Sequence, residues 1–412
     1  MNLLTVDTLE QAREKLLACW QGRPMPTTVV SLEEALGRVT AEDVLAPDDV
    51  PNFYRSTVDG YAVVAADTQG ASESIPTFLT VVEEVVMGRP ARATVCSGTC
   101  AYVPTGGMLP KGADAMVMVE YTENFHGDEV AVYQSVAQGA SVVVPGEEVR
   151  KGAVLIPRGT VLNPAHVGAL AAAGIWEVKV FRPWRVAILS TGDELVHPAQ
   201  PAGPAQVRDV NTWALSALAE ACGFQLILRK TLPDREELLE QVLTQAKEQA
   251  DLVLTSGGSS QGKADYTCRL MDRVCDRGVM THGLSVKPGK PTILAFDGAS
   301  QTVMIGLPGH PVAALMIFQA LGVWLWKRLT GQREQKPLQA EMALNIPGAP
   351  GKTTFVWVKI QKDEDGRQTA IPVLGKSGLM GTLVNADGYL VLDRNKEGLR
   401  KGEPVEIFRL GI

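Results

Sequence analysis

Long apolar runs, basic excess, paired cysteines and clustered histidines are what this sequence has least of, and each shortage excludes something. No stretch reaches the ~18 consecutive apolar residues that a membrane-spanning helix needs. The longest candidate, PVAALMIFQALGVWLW from Pro311 to Trp326, reads as a buried helix. Lys and Arg number 39 against 46 Asp and Glu, a net charge of -7 with pI near 5.4. A nucleic-acid binder is normally basic, so nucleic acid is not an expected partner. There are six cysteines; three residues separate Cys96 from Cys100 and six separate Cys268 from Cys275. Neither spacing is the CxxC of a zinc knuckle or redox pair, so reduced thiols in a cytoplasmic protein are expected. Among five histidines, His310 has no second histidine nearby, which argues against a metal role. The first residues, MNLLTVDTLEQAREK, contain acids and no basic stretch before an apolar core, unlike a secretory signal. Internal repeats and low-complexity tails are absent as well.

What is present changes texture several times. A chain of 412 residues is too long for one ordinary core and predicts two to four domains. Over residues 8 to 45, TLEQAREKLLACW and SLEEALGRVTAEDVL carry helical spacing, and Ser31 with Glu34 fits a capping box. After Pro47 come short strand-like runs, TFLTVVEEVVMG, CAYVP, AMVMVEY, EVAVYQSV and ASVVVPG, divided by turn residues. A helix from Pro164 to Ala173 has Asn163 as its cap. From about residue 180, strands RVAILST, FQLILRKT, DLVLTS and TVMIGLPG alternate with helical segments. That alternation predicts a parallel sheet with helices on both faces. Beyond Gly331 the runs TFVWVKI, TAIPVL, GYLVLD and PVEIFRL are β-like again.

Parallel sheets of this kind bind ligands beyond the carboxyl ends of their strands. Three strands end there in unusual loops: STGDEL (Ser190 to Leu195), TSGGSSQGKAD (Thr255 to Asp265) and GLPGHP (Gly306 to Pro311). Glycines let backbone N–H groups approach a ligand, and a following helix N-terminus favours an anion. Ser256, Ser259 and Ser260 add hydroxyls, and Lys287 and Lys290 of VKPGKP add positive charge. Phosphate or a similar oxyanion fits this set, each charge-assisted hydrogen bond contributing about 1.5–3 kcal/mol. The acids Asp193, Glu194, Asp209 and Asp265 would repel such a ligand unless a cation lay between, and Mg²⁺ is the expected ion. Each signal has a plainer reading too: SGGSS as a chain turn, TGDEL as a helix start, KPGK as a solvated turn, Asp209 as a helix cap.

Taken together and in order, the motifs narrow the choice. VPNFYRSTVDGYAV, VPTGGMLPKGADAMVMVE, PGEEVRKGAVLIPRGT, STGDEL, RDVN, SGGSSQGKAD, KPGKP, GLPGHPVAAL and KSGLMGTLVNADG follow one another over some 330 residues. In content and sequence this resembles the molybdopterin molybdenumtransferases, the MoeA family, which includes the E domain of gephyrin. The resemblance implies a multidomain α/β and β fold. Its parts would be a discontinuous helical linker domain (1–51 and 141–179), a β-rich domain (52–140), a molybdopterin-binding α/β domain with a parallel sheet (180–330) and a C-terminal β-barrel-like domain (331–412). It also implies a homodimer, contacts with other molybdenum cofactor biosynthesis proteins, and Mg²⁺-dependent transfer of molybdate into adenylylated molybdopterin with release of AMP.

Carried over residue by residue, the resemblance implies catalytic roles for Asp59, Glu194, Asp265, Lys287 and Lys290. Contacts to the substrate would come from Thr105, Thr191, Gly192, Asp193, Asp209, Ser256, Gly257, Gly258, Ser259, Ser260, Pro308 and Thr382. Metal ligands would be Glu194, Asp209 and Asp265, while Asp59 and Thr105 would reach the cleft from the partner subunit. Lys287, Lys290 and Thr382 would hold the molybdate dianion. Alternatives from the same residues are a molybdopterin adenylyltransferase, a non-catalytic molybdopterin-binding scaffold and a tungstate-preferring insertase. The sequence departs from common family forms at VVVP before GEE, where some members carry arginines, and at Glu148, Gly283, His310 and Gly381. Lost charge there implies weaker oxyanion binding or a shifted preference between molybdate and tungstate.

Overall fold

A computed structural model describes residues 6–125, 127–257, 264–334, 336–362, 364–375 and 377–409. The first helix, α1 (Leu9–Trp20), begins at a reciprocal capping box: the Thr8 hydroxyl accepts from the Gln11 N–H, and the Gln11 side chain accepts from the Thr8 N–H. The second helix expected before residue 45 is not formed. β1 (Thr27–Ser31) leads into a single 3₁₀ turn at Leu32–Glu34, and Ser31 makes no side-chain cap bond. The reason is tertiary: Leu32 N–H and the strand before it bond to the segment around residues 176–181 instead.

A six-stranded sheet follows, built from β2 (Gly60–Val63), β3 (Thr77–Glu84), β4 (Thr99–Val103), β5 (Ala115–Met118), β6 (Thr122–Asn124) and β7 (Glu129–Val132). Its order is β5-β2-β4-β3-β7-β6. The chain then returns through α2 (Pro164–Ala172), capped by Asn163 as expected, and β8 (Glu177–Phe181), which pairs antiparallel with β1.

The central sheet comes next. Its elements are β9 (Arg185–Thr191), α3 (Asn211–Ala221), β10 (Gln225–Leu232), α4 (Glu236–Gln249), β11 (Leu252–Gly257), α5 (Ala264–Val274), β12 (Val279–His282), β13 (Val286–Lys287), β14 (Ile293–Asp297), β15 (Thr302–Leu307) and α6 (Pro311–Thr330). The strand order is β10-β9-β11-β15-β14-β12. The four strands read from the sequence are mutually parallel. Two further strands, β14 and β12, extend the sheet antiparallel, so the whole is mixed. Alternate strand residues serve opposite faces, as the pleat requires. Val186, Ile188, Leu252 and Leu254 join α1, α3 and α6 in one core; Ala187, Leu189 and Val253 join α4 and α5 in another. Both faces are thus covered, and the apolar α6 is mostly buried.

The last sheet comprises β16 (Leu338–Met342), β17 (Thr353–Lys362), β18 (Gln368–Pro372), β19 (Gly388–Leu392) and β20 (Pro404–Ile407). β17 pairs with β18 and β19, and β16 with β18 and β20. Reciprocal 2.8 Å backbone bonds between Tyr389 and Phe408 join the remaining pair, closing a small barrel. The barrel also takes in β13: Val286 and Lys287 pair parallel with Thr353 and Thr354 of β17.

Candidate functional site

The order β10-β9-β11 has its topological switch between β9 and β11, where the chain first moves to one side of β9 and then to the other. The two strands end side by side, with Thr191 opposite Gly257. Their approach is close: a Cβ on Gly257 would sit 2.1 Å from the Thr191 carbonyl oxygen, and its φ of +121° is one that side chains rarely adopt. Only glycine fits there.

A cavity of about 470 Å³ opens over this point. All four parallel strands contribute to it: Ser190, Thr191 and Glu194 from the end of β9, Asp234 after β10, Ser256 and Gly257 from β11, and Gly309, His310 and Pro311 after β15. Arg208, Asp209 and Asn211 line it from the start of α3, and Gly378 from the barrel region. The starts of α3 and α6 both lie on this wall, which favours an anionic ligand. His310 ties the barrel to the cavity: its Nδ1 is 2.8 Å from the Ser377 hydroxyl, while Val312 N–H donates to the Ser377 carbonyl.

The acids differ in state. Glu194 is exposed and folds over Gly192, its carboxylate about 2.8 Å from where a Gly192 Cβ would be. Asp193 is exposed and accepts from the Asp234 N–H at 3.1 Å, fixing the rim. Asp209 is buried; one oxygen accepts from the Thr212 N–H (3.0 Å), the other from the Thr212 and Thr231 hydroxyls (2.5 and 2.6 Å). These contacts give Asp209 the helix-capping role and hold both of its oxygens in hydrogen bonds within the fold, although the residue lines the cavity. Among the described residues no three His, Cys, Asp or Glu side chains converge as a metal-binding group. Near the start of α5, burial, then the Glu236 and Asp234 carboxylates, push the Tyr266 hydroxyl up to about 12.

Other expected residues fall elsewhere. Asp59 and Thr105 meet each other, the Thr105 N–H donating to Asp59 Oδ1 at 2.8 Å, but neither lines this cavity. Lys287 and Lys290 are exposed on a loop whose Gly289 packs against Ile317 of α6, outside the cavity lining. Pro308 is buried and is not among the lining residues. Gly258, Ser259 and Ser260 lie outside the described residues, as do the side chains of Asp265 and Thr382. Among the lining residues that sequence reasoning did not assign are Asn211 and Asp234. Each had a signal: the last letter of RDVN before a helix, and the acid of TLPD after a strand.

This is the geometry of a multidomain α/β protein with a polar cavity at its switch point. Comparison with known proteins gives the family. Residues 7–174 match the MoeA N-terminal region (domains I and II), 187–327 a probable molybdopterin binding domain, and 339–410 the MoeA C-terminal region (domain IV). A molybdopterin molybdenumtransferase of Haemophilus influenzae is 34% identical over 97% of this chain and 98% of its own. One from Staphylococcus aureus is 30% identical over 94% and 92%. A crystal structure of a molybdopterin biosynthesis MoeA protein from Pyrococcus horikoshii superposes with a TM-score of 0.81 at 31% identity, covering 98% of this chain and 99% of that one. The chain belongs to the MoeA family of molybdopterin molybdenumtransferases.

Proposed function

We propose that this protein is a molybdenum insertase of molybdenum cofactor biosynthesis. It takes adenylylated molybdopterin and molybdate, releases AMP, and works with Mg²⁺ as a cytoplasmic homodimer. The observation that carries the reading is the convergence of four strand ends on one cavity lined by the hydroxyls of Ser190, Thr191 and Ser256 and by the carboxylates of Glu194 and Asp234.

In this reading Thr191, Ser190 and Ser256 present hydroxyls, and Gly257 bare backbone, to the phosphates and pterin. Mg²⁺ commonly takes one or two carboxylates and completes its shell with phosphate oxygens and water. Glu194 and Asp234 on the wall would be donors of that kind, and the family resemblance adds Asp265, whose side chain lies outside the described residues. Asp209 is not assigned to it, because its carboxylate is already hydrogen-bonded. When bound, the ion would offset the negative charge of the phosphoanhydride. Asp59 and Thr105 would act in the cleft of the partner subunit, and Lys287, Lys290 and Thr382 would hold molybdate.

The test is AMP release from adenylylated molybdopterin with Mg²⁺, in the presence and absence of molybdate, with tungstate in parallel. Molybdate-dependent release is expected. Stimulation by tungstate alone would keep the reaction and change its oxyanion. A protein that binds the ligand and releases nothing with either oxyanion would be a scaffold, and the proposal would be lost.

A further inference from the structure

Asn211 is the first residue of α3, and its side chain bridges two of the loops at the cavity. Its Nδ2 donates to the Ser256 hydroxyl oxygen at 2.5 Å and to the Gly309 carbonyl at 2.8 Å. Ser256 ends β11 and Gly309 follows β15, so one amide group joins the two loops that close the cavity. The direction of the amide is fixed by the carbonyl: turned over, it would set oxygen against the Gly309 oxygen.

Two consequences bear on function. Because Nδ2 supplies a proton to Ser256 Oγ, that hydroxyl's own proton is left to donate, and it sits on the cavity wall. A floor hydroxyl held in the donating sense suits an anionic ligand oxygen. The other end of the amide is costly. Asn211 Oδ1 is buried with no hydrogen-bond partner among the described residues. A buried acceptor left unsatisfied works against stability. An arrangement shaped only for stability would satisfy that oxygen or replace the amide by an apolar group. Stability traded for geometry is the mark of a functional position.

We infer that Asn211 is a positioning residue: it latches the β11 and β15 loops together and aims the Ser256 hydroxyl at an anionic group of the substrate. The inference rests on the proposed insertase reading for the identity of that substrate, but the latch itself does not.

The experiment uses the full-length protein in four forms: wild type, Asn211→Ala, Ser256→Ala and the double variant. AMP release is measured under molybdate, together with thermal stability and amide hydrogen exchange over residues 252–257 and 302–311. Asn211→Ala is expected to lower kcat and kcat/KM together by ~10²-fold, the effect of a misplaced reacting group. Its melting temperature should stay level or rise, and exchange should quicken in both loops. The double variant should lose no more activity than either single one, because Asn211 acts through Ser256. Asn211→Asp, which removes the donors and adds a negative charge beside the anion site, should lose at least as much activity as Asn211→Ala at neutral pH. Losses that multiply in the double variant would overturn the inference, as would a fall in melting temperature with kcat intact. If the wild type releases no AMP, the insertase reading fails, and exchange decides the latch alone: unchanged protection in either loop of Asn211→Ala would refute it.

Discussion

Gly257 shows how narrow the tolerances are at single residues. A methyl group there would meet the Thr191 carbonyl at 2.1 Å, and nothing in two paired strands can move aside without breaking their register. Gly257→Ala is expected to destabilise by at least ~1–3 kcal/mol from backbone strain, with the clash added. Thermal denaturation would show it as a drop of several degrees; an unchanged melting point would mean the strands are looser than described. Residue-level roles were only partly legible in sequence. Thr191, Ser256 and Gly257 were readable because glycines and hydroxyls at a strand end have few other uses. Asp209 had two readings, and its three hydrogen bonds choose the cap. Asn211 and Asp234 were missed because their meaning depends on which loops lie opposite, and no local pattern encodes that.

At the scale of elements, two carboxylates hold the central sheet at the end away from the cavity. Asp251 pairs with Arg182 and Arg185 where β9 and β11 begin, and Asp297 at the end of β14 accepts from Lys247 Nζ, the Asp276 N–H and Ser300. Burial alone would raise both acids. Hydrogen bonds from Arg185 and Arg182 outweigh it at Asp251, and those from Ser300, Asp276 and Lys247 lower Asp297 to about 2. Depressed acids stabilise the fold above their unfolded value near 3.8 and lose that contribution as pH falls through the folded one. Unfolding free energy should therefore decline between roughly pH 4 and pH 2, with about 2 kcal/mol traceable to Asp297. Asp297→Asn should flatten that part of the profile; an unaltered slope would assign the acid lability to other groups.

Helix starts offer a second check at this scale. Thr8→Ala should cost about 1 kcal/mol, because its hydroxyl caps α1, whereas Ser31→Ala should cost almost nothing. Equal effects would put a cap back at Ser31. That contrast marks where sequence reading failed. SLEEALG has helical spacing and a capping signature, yet β8 draws its neighbourhood into strand pairing. Local propensity lost to tertiary contact there. The four parallel strands were legible because strands buried on both faces read as apolar runs. The antiparallel strands β12 and β14 were not, since a mixed edge leaves no separate signature.

The whole molecule raises the question of who completes the cleft. Asp59 and Thr105 are joined to each other and stand apart from the cavity of their own chain, as the proposed exchange between subunits requires. Mixing inactive Asp59→Ala and Glu194→Ala proteins after subunit exchange would then rebuild one intact cleft in each hybrid dimer. About a quarter of wild-type turnover is expected from equal amounts, by the symmetry of a two-fold assembly. No recovery, with hybrids verified by mass, would confine the cleft to one chain.

The two residues of β13 belong by chain order to the central region and by hydrogen bonding to the barrel. One consequence concerns separability. A protease cut at Arg333, between α6 and β16, would sever the backbone and release nothing, because the lysine-bearing loop is stitched into the barrel on the far side of the break. Nor can the barrel be deleted or exchanged as a cassette: removing it strips Lys287 of its register, so any recombination that respects the apparent boundary would still disarm the loop next to it.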